Sequence, residues 1–471
     1  MKKSFLSALL LMIVTLSAMA IPAKRGVVRT LTLANGATVE ATLVGDEFGH
    51  YFLGTDGKAY RLNPSTNVYE EANTQAITQR AQARRAQANT QRAKRLSPKR
   101  VGSFGNYTGK KKGVIILVNF ADKEFKVAND NALFQRIANE KNFSHGDFVG
   151  SMYDYFYAQS RGQFELTFDV VGPVSVSKNA AYYGSNNSND EDEHPAEMII
   201  EAVKKADSQV NFADYDWDGD KYVDQVYVVY AGKGEADGGA ANTIWPHAYD
   251  LRSAQYYGDG TGPVKLDGVT INTYACGGEL NGFTGSVAGI GTMCHEFSHC
   301  LGYPDFYDID YSGGWGMDIW DLMSGGSYNG DGYVPCSYTA YERWMAGWME
   351  PIELSNTQNV TGMKGLEDGG ESYIIYNDGH RDEYFMLENR QQTGWDSELP
   401  GSGLLIVHVD YDETIWKNNK PNDVPSHQRM TWIAADNELQ YETYNGEKYL
   451  TDAGLRTDLY PSGNNNVFSN T

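Results

Sequence analysis

The chain has 471 residues, a formal net charge of −22, 41% hydrophobic residues and 13% aromatic residues. This length leaves room for two or three domains, and this composition is typical of a folded protein with substantial cores. The acidic balance argues against nucleic acid or an anionic membrane as a partner, and it suits an extracellular surface or calcium binding.

The amino terminus has the pattern of a secretory signal peptide. Lys2 and Lys3 precede an apolar run over residues 5–16, and Ser17-Ala18-Met19-Ala20 ends in the small-residue cleavage pattern. We therefore predict that residues 1–20 are a signal peptide of bacterial type, cleaved after Ala20, and that the protein is secreted or at the cell surface. A membrane anchor is the alternative, but the apolar run is short for a span and no other stretch approaches one.

Residues 21–71 are predicted to form a small β-rich unit with strands at 30–33, 38–44 and 50–53, with an Asn-Gly turn at 35–36 and an Asp-Gly turn at 56–57. Residues 73–97 are rich in Ala, Gln and Arg, and no acidic residue occurs between Glu71 and Asp122. This composition predicts a basic connector that is weakly structured or helical. In an exported protein it favours cleavage by a trypsin-like protease, whereas the plainer interpretation is a solvated helix.

The main domain is expected to begin near Lys110. The apolar run 113–120 predicts a strand buried on both faces, and strands are also predicted at 164–171 and 223–230. Helical patterns occur at 151–159, 195–206 and 338–348, and strand-and-turn patterns continue from about 351 to the end. The predicted strand 269–275 is a candidate edge for binding an extended substrate, or an ordinary member of the sheet.

Residues 295–305 read H-E-F-S-H-C-L-G-Y-P-D. On a helix, His295 and His299 lie on one face with Glu296 beside them, as metal binding requires. Gly302 is predicted to end the helix, and the following turn would bring Asp305 back as a third ligand. Two histidines, a carboxylate and an open position predict a catalytic zinc site. The alternative is a buried helix whose histidines are satisfied by hydrogen bonds.

A turn follows this helix at residues 321–327, D-L-M-S-G-G-S. A methionine in a turn is uninformative alone, but Met323 comes some two dozen residues after His299. It is therefore predicted to pack beneath the metal ligands.

An aspartate-rich loop precedes the strand predicted at 223–230. Its carboxylates at alternate positions suit a hard cation such as calcium, with Gly219 at a tight turn. A complete EF-hand is disfavoured because Gln225 stands where that motif needs Glu, so a calcium-binding loop and a plain turn both stay open. The candidate ligands are Asp214, Asp216, Asp218, Asp220 and Asp224.

The four cysteines, Cys276, Cys294, Cys300 and Cys336, lie around the metal motif. Export permits disulfide bonds. Cys294 and Cys300 are six residues apart on the predicted helix and point to different sides, so Cys276 is expected to pair with one and Cys336 with the other. A cysteine-ligated zinc site is disfavoured because no C-x-x-C pair is present.

Taken together, these motifs resemble the immune inhibitor A-type secreted metallopeptidases, zincins with metzincin-like features. The carrying stretches are G-D-E-F at 45–48, G-V-I-I-L-V-N-F-A-D-K-E-F at 113–125, Y-D-Y-F at 153–156, D-W-D-G-D-K-Y-V-D at 216–224, the metal motif 295–308, D-L-M-S-G-G-S at 321–327, Y-F-M-L-E-N-R-Q at 384–391 and L-P-G-S-G-L-L-I at 399–406. The resemblance covers most of the chain after the signal peptide.

The resemblance implies an α+β fold with a zincin-type catalytic domain, a twisted sheet with backing and active-site helices. It implies a β-rich propeptide with its basic connector at 21–100, the catalytic domain at 101–352 and a β-rich C-terminal region at 353–471. Similar proteins usually continue further, which leaves open a truncated chain or a missing sorting module. Many metzincins have His where this chain has Asp305, and Asp308 is close enough to compete as the third ligand.

The predicted function is a secreted zinc-dependent endopeptidase, made as a zymogen and acting as a monomer on proteins or peptides. Glu296 is the expected general base for a zinc-activated water, and Tyr328 or Tyr333 is a candidate for supporting the oxyanion. The resemblance also favours structural calcium. The alternatives are a catalytically inactive binding or adhesion protein on a peptidase fold, and a zinc hydrolase that does not cleave peptides.

Latency is expected to come from the propeptide. A cysteine switch is excluded because residues 21–100 contain no cysteine. Asp46 or Glu47 is expected to block the metal site instead, or the block is steric.

Overall fold

The computed structural model describes residues 19–63, 65–92, 107–187, 191–439, 441–444, 447–450, 452–463 and 466–468. Most of the predicted signal peptide, residues 1–18, lies outside the described residues, as do residues 93–106, which include the end of the basic connector. Within the described ranges, no helix is long and apolar enough to cross a membrane.

The described residues form the following elements. The helices are α1 Thr74–Arg92, α2 Asn131–Asn139, α3 Met152–Gln159, α4 Ala180–Gly184, α5 Pro195–Ala206, α6 Leu251–Tyr256, α7 Gly291–Ser298, α8 Ala340–Met345, α9 Glu413–Lys417 and α10 Asp452–Thr457. The strands are β1 Met19–Ala20, β2 Val28–Thr32, β3 Thr38–Asp46, β4 Gly49–Gly54, β5 Ala59–Asn63, β6 Val68–Glu71, β7 Gly109–Asn119, β8 Phe164–Ser175, β9 Val226–Lys233, β10 His247–Asp250, β11 Val264–Leu266, β12 Val269–Ile271, β13 Thr273–Leu280, β14 Ile352–Glu353, β15 Tyr373–Tyr376, β16 Glu383–Arg390, β17 Gly403–Asp410, β18 Met430–Trp432, β19 Tyr441–Tyr444 and β20 Glu447–Leu450.

The N-terminal unit is a five-stranded antiparallel sheet in the order β2-β3-β4-β5-β6. The three predicted strands are confirmed, and β5 and β6 extend the sheet. The basic connector begins as helix α1, which packs on β4. Arg85 of this helix is buried and pairs with both Asp46 and Asp310. The helical alternative for the connector is therefore correct over its described part.

The central sheet has the order β1-β10-β13-β9-β7-β8, with β8, β7, β9 and β13 parallel and β10 antiparallel to β13. Strand β7 is buried on both faces, as its apolar run predicts. Ile115 and Leu117 belong to the core that includes α3 and α7, whereas Val114 and Ile116 belong to the core around α5. The fold is thus a mixed α+β architecture with helices on both sides of one sheet.

Two predicted helices begin at about the residue where their sequence patterns begin. Ser151 caps α3 in a reciprocal capping box with Asp154. Helix α5 starts at Pro195, and the Asp259 carboxylate accepts the free N–H groups of the next two residues. The predicted helix over 338–348 is shorter, Ala340–Met345, because Gly347 follows with a φ of 77°.

The C-terminal region contains a five-stranded sheet in the order β14-β15-β16-β17-β18. The prediction of strands without helices is wrong in detail, because the short helices α9 and α10 lie between and after these strands. Residues of this sheet share one continuous core with α3, α7 and α8. The C-terminal region therefore packs directly on the half of the molecule that carries the metal motif.

The predicted disulfide bonds are wrong, because all four cysteines are free. Cys276 lies in the core on the α5 side of the central sheet, with its Sγ atom 3.6 Å from His247 Nδ1. Cys294 and Cys336 lie in the core on the other side, and Cys300 is only packed against it. The sheet itself separates Cys276 from its expected partners.

A buried ion cluster links the C-terminal sheet to the segments that contain Trp320 and Ser337. Arg390 is fully buried, and its guanidinium lies 3.0 Å from Glu388 Oε1 and 2.6 Å from Asp396 Oδ1. It also donates to the backbone carbonyls of Trp320 and Ser337. One cation thus neutralises two buried carboxylates and satisfies two carbonyl groups.

Replacing Arg390 by Met is expected to lower the free energy of unfolding by about 3–5 kcal/mol, because it leaves two carboxylates buried without a cation. Urea unfolding followed by tryptophan fluorescence measures this loss. The matched control is Arg381→Met, which removes an ion pair to Glu353 whose side chains are each 45% exposed. The control should leave the unfolding midpoint nearly unchanged, and equal effects of the two changes would contradict the role of the cluster.

Candidate metal centre

Helix α7 is placed by close backbone packing at its start. A Cβ atom at Gly291 would lie 1.9 Å from the carbonyl oxygen of Ser327, so only glycine permits this approach. The helix ends at Ser298, and one 3-10 turn over His299–Leu301 follows. Gly302 then adopts a φ of 104° and donates to His299 O, which confirms the predicted stop.

The two histidines are oriented by backbone carbonyl groups. His295 Nδ1 lies 2.8 Å from Leu322 O, and His299 Nδ1 lies 2.9 Å from Tyr303 O. Because a carbonyl oxygen can only accept, each Nδ1 atom carries the proton and each Nε2 atom presents a lone pair. Both Nε2 atoms are therefore prepared as ligands.

The chain turns back after Gly302 and brings Asp305 to these atoms. Asp305 Oδ1 lies 3.2 Å from His295 Nε2 and 3.6 Å from His299 Nε2. Asn419 clamps the residue, since its Oδ1 atom accepts the Asp305 N–H at 2.7 Å and its Nδ2 atom donates to Asp305 Oδ2 at 2.7 Å. Asn419 comes from the C-terminal region, and no motif in the sequence pointed to it.

Asp308, the rival third ligand, is used elsewhere. Its Oδ2 atom accepts backbone N–H groups from Ser312, Gly313 and Gly314, at 2.7 to 2.9 Å. This carboxylate closes the following turn. The geometry therefore favours Asp305 over Asp308 beside the two histidines.

Glu296 lies beside the histidines and contacts the N-terminal segment 21–25 through Ile21. We call the groove that holds this segment the cleft. Its Oε2 atom is 3.9 Å from His299 Nε2, and its Oε1 atom accepts the backbone N–H of Ile21 at 2.7 Å. Burial raises the pKa of Glu296 to about 8, against the lowering effect of His295, and the negative charge of Asp305 also raises it. Burial disfavours protonation of His295, but the neighbouring carboxylates of Asp305 and Glu296 more than offset this and raise the histidine pKa.

Three buried polar atoms converge here without a hydrogen-bond partner among the described residues, His295 Nε2, Asp305 Oδ1 and Glu296 Oε2. His299 Nε2 lies beside them, 3.6 Å from Asp305 Oδ1. Ligand atoms of His295, Glu296 and His299 all lie within 4.8 Å of one another. Leaving such atoms unpaired is costly, and a divalent cation would satisfy them. Two imidazoles and one carboxylate, with a second carboxylate beside an open side, fit zinc.

The turn that carries Met323 lies directly against the histidine helix. Leu322 O is the acceptor for His295, and Met323 O accepts the N–H of Phe306 at 2.8 Å. Met323 itself is fully buried in the same core as Cys294 and Phe297. The turn thus joins the helix to the loop that presents Asp305, and the specific packing of Met323 beneath the ligands stays a prediction.

The two tyrosine candidates are separated by their partners. Tyr333 donates to Val287 O at 2.7 Å, which lies outside the segment 21–25. Tyr328 donates to Pro22 O at 2.8 Å, within the segment that crosses the cleft. Burial raises the pKa of Tyr328 well above its usual value, and the charges of Asp237 and Glu296 add to this. Tyr328 is therefore the candidate that faces the cleft.

The substrate-binding edge predicted at residues 269–275 is wrong. This stretch forms β12 and the start of β13, and β13 is an interior strand between β10 and β9. Without β1 the sheet would end at β10, whose outer edge pairs antiparallel with β1. A pattern of alternating residues does not show which strand lies at the edge of a sheet, so the sequence could not distinguish an edge strand from an interior one.

In the aspartate-rich loop, Asp216, Asp218 and Asp220 approach one another as the spacing predicts. Asp214 instead accepts from Asn211, and Asp224 accepts from the Trp217 N–H. Asp216 accepts two loop N–H groups at 2.9 Å, and these hydrogen bonds stabilise the turn without requiring an ion. Calcium binding by this loop stays a prediction.

A known protein family and two known proteins resemble parts of this chain. Residues 103–351 match the family described as immune inhibitor A peptidase M6, catalytic domain. A pre-pro-metalloprotease PrtV of Vibrio cholerae is 30% identical over 234 residues, which are 44% of this chain and 24% of that protein. Immune inhibitor A of Bacillus thuringiensis is 26% identical over 308 residues, 55% of this chain and 43% of that protein. The chain thus spans less than half the length of these relatives. Because the family match covers more than half of the chain and includes the metal motif, the protein belongs to the immune inhibitor A family of M6 peptidases.

Proposed function

We propose that this protein is a secreted zinc-dependent endopeptidase of the zincin type, made as a zymogen. The observation that carries the proposal is the convergence of His295 Nε2 and His299 Nε2 on Asp305 Oδ1, 3.2 and 3.6 Å away, in a buried position beside Glu296. The names of the two relatives, one a metalloprotease, support the same chemistry.

His295, His299 and Asp305 would hold the zinc ion. When bound, zinc supplies Lewis-acid activation of a water molecule and of the peptide carbonyl group. Glu296 Oε2 has no hydrogen-bond partner in the described part of the chain, and it accepts the proton of the attacking water. Glu296 Oε1 already contacts a backbone nitrogen at 2.7 Å, so it is placed to return the proton to the leaving amine. Tyr328 is the proposed donor to the developing oxyanion.

The zymogen proposal rests on what fills the cleft. Met19 and Ala20 pair antiparallel with Ala248 and His247 of the edge strand, as the first half of an extended substrate would. Ile21 follows, fully buried, with its N–H on Glu296 and its carbonyl oxygen accepting from Trp245 Nε1 at 3.0 Å. After signal-peptide cleavage, the α-ammonium group of Ile21 would lie against the proposed base. We infer that the propeptide inhibits by occupying the substrate position.

The two carboxylates expected to block the metal differ in their surroundings. Asp46 is bound by the Arg85 guanidinium and accepts the Phe48 N–H at 2.9 Å. Both carboxylate oxygens of Glu47 are buried without a hydrogen-bond partner among the described residues. Burial raises the pKa of Glu47, and the negative charge of Asp46 raises it further. The negative charge of Glu296 adds to this effect. Glu47 is thus the better candidate for a carboxylate that reaches the metal.

Replacing Glu296 by Gln is expected to lower kcat for a casein-derived peptide by about 10²–10⁴-fold while zinc content stays at one per chain, because the general base is lost. The measurement is peptide cleavage by activated protein, with metal analysis of the same sample. A matched control, Glu165→Gln, changes a partly buried glutamate on strand β8 that lies outside the site and should retain activity.

The same assay decides between a peptidase and an inactive binding protein. Wild-type protein that holds zinc but cleaves no peptide after activation would leave the binding or adhesion alternative. Cleavage that persists in the zinc-loaded Glu296→Gln variant would refute the assigned role of Glu296.

Replacing Asn419 by Ala is expected to weaken zinc affinity by about 10–100-fold, because Asp305 loses the group that orients it. Competition with a chromophoric chelator measures this affinity in the full chain. Asn356→Ala is the control, since Asn356 is exposed and lies outside the site. Unchanged affinity in a folded Asn419→Ala protein would show that Asp305 is not a ligand or needs no clamp.

Removing residues 21–25 from the exported full chain is expected to raise the peptidase activity of the unprocessed protein at least tenfold, because the segment that covers Glu296 is lost. Cleavage of a quenched fluorescent peptide by unprocessed protein measures this change. Glu47→Gln is the comparison variant, and activation by this change alone would assign latency to the carboxylate rather than to the occupied cleft.

A further inference from the structure

The segment that crosses the cleft continues on the far side of Glu296. The Ile21 N–H marks the position of a leaving amine, so the residues after it correspond to the C-terminal half of a substrate. Groups of the peptidase domain bind this half at three successive points. Trp245 donates to Ile21 O, Tyr328 donates to Pro22 O, and Ala236 O accepts the Lys24 N–H at 2.8 Å. The main chain is therefore held as a bound peptide would be.

Arg25 places its guanidinium on the carboxylate of Asp318, whose side chain is only 1% exposed. The contact is made by Asp318 Oδ2, whereas Oδ1 is buried without a hydrogen-bond partner among the described residues. Asp318 also has a φ of 45°, a conformation that non-glycine residues seldom adopt. When the propeptide leaves, a buried carboxylate loses its cation.

Lys24 occupies a second acidic position next to it. Its side chain is 8% exposed, and Nζ lies 3.2 Å from Asp331 Oδ1. The same ammonium group lies over the rings of Phe283 and Tyr328, 4.8 and 5.7 Å from their centroids. Burial raises the pKa of Asp237 to about 7, and the charge of Lys24 counteracts this shift. Two acids and two aromatic rings of the peptidase domain thus surround one lysine.

These contacts border a cavity of about 740 Å³. Its lining includes Lys24 and Arg25 on the propeptide side and Trp315, Asp318 and Tyr328 on the peptidase side. The space beside the bound segment is therefore large enough for the side chains of other peptides.

We propose that Asp318 and Asp331 form acidic subsites that select peptide substrates with basic side chains four and five residues after the cleaved bond. The inference rests on the proposed peptidase function and names its substrate class. A basic side chain restores the cation that Asp318 loses on activation, whereas a neutral one leaves the carboxylate buried and unpaired. Lys24 and Arg25 mark the two positions in the uncleaved chain.

The test compares two peptides on zinc-loaded full chain, activated by limited trypsin digestion and then freed of trypsin. One contains Met-Ala-Ile-Pro-Ala-Lys-Arg and the other has Gln at both basic positions. The expected kcat/KM is about tenfold higher for the basic peptide, the ratio typical of one charged hydrogen bond. Mass spectrometry verifies cleavage between Ala and Ile in both.

Asp318→Asn is expected to reduce this ratio of kcat/KM values to about two, because only the preference for Lys at the fourth position remains. Asp207→Asn is the matched control, because Asp207 is exposed at the end of α5 on the opposite side of the sheet, and it should keep the wild-type ratio. Equal cleavage of the two peptides by wild-type enzyme would overturn the proposal. Absence of any cleavage with zinc bound would instead refute the peptidase function.

A second measurement needs no variant. The peptides Ile-Pro-Ala-Lys-Arg-Gly and Ile-Pro-Ala-Gln-Gln-Gly are used as inhibitors of the activated wild-type enzyme. The basic peptide should inhibit about tenfold more strongly, for the same electrostatic reason. Equal inhibition would show that the contacts of Lys24 and Arg25 serve only to hold the propeptide.

Discussion

The metal centre buries two imidazoles and two carboxylates beside one another, and this burial costs free energy that the rest of the structure must offset. His295, Glu296 and Asp305 are at most 1% exposed and His299 is 5% exposed. Among the described residues, no hydrogen-bond partner is found for His295 Nε2, Glu296 Oε2 or Asp305 Oδ1. Within a protein such an arrangement is unfavourable unless a cation compensates it. Groups from the surrounding elements hold these side chains in place. Leu322 O and Tyr303 O fix the imidazoles, and Asn419 fixes the carboxylate, so the open side faces the cleft.

The features that the sequence predicts correctly are local ones. The helix, its end at Gly302 and the return of Asp305 all follow from residues within eleven positions, where spacing and backbone conformation determine geometry. The buried strand β7 was predictable because a long apolar run has few alternatives. Asp308 and Asp305 were indistinguishable in the sequence, since the choice depends on which carboxylate the following turn uses.

The features that escaped the sequence are contacts between distant segments. Asn419 is 114 residues from Asp305, and a lone asparagine in a loop carries no signal of such a role. The edge strand β10 could not be recognised because strand order is set by the whole sheet. The expected disulfides failed for the same reason, since only the fold shows that the sheet stands between Cys276 and Cys294. The occupation of the cleft by Ile21, 275 residues before Glu296, is likewise a tertiary contact.

The C-terminal region is best understood as part of the site rather than as an appendage. Besides Asn419, Asn422 donates to Phe306 O, and Gln428 Oε1 accepts the N–H groups of Trp315 and Gly316. These contacts fix both ends of the loop that begins with the proposed third ligand. A boundary near residue 352, placed where the strand pattern begins, therefore cuts across the supports of the metal centre. Since the loop from 305 to 316 has no regular secondary structure to hold it, the precision of Asp305 comes from a region that the family match does not include.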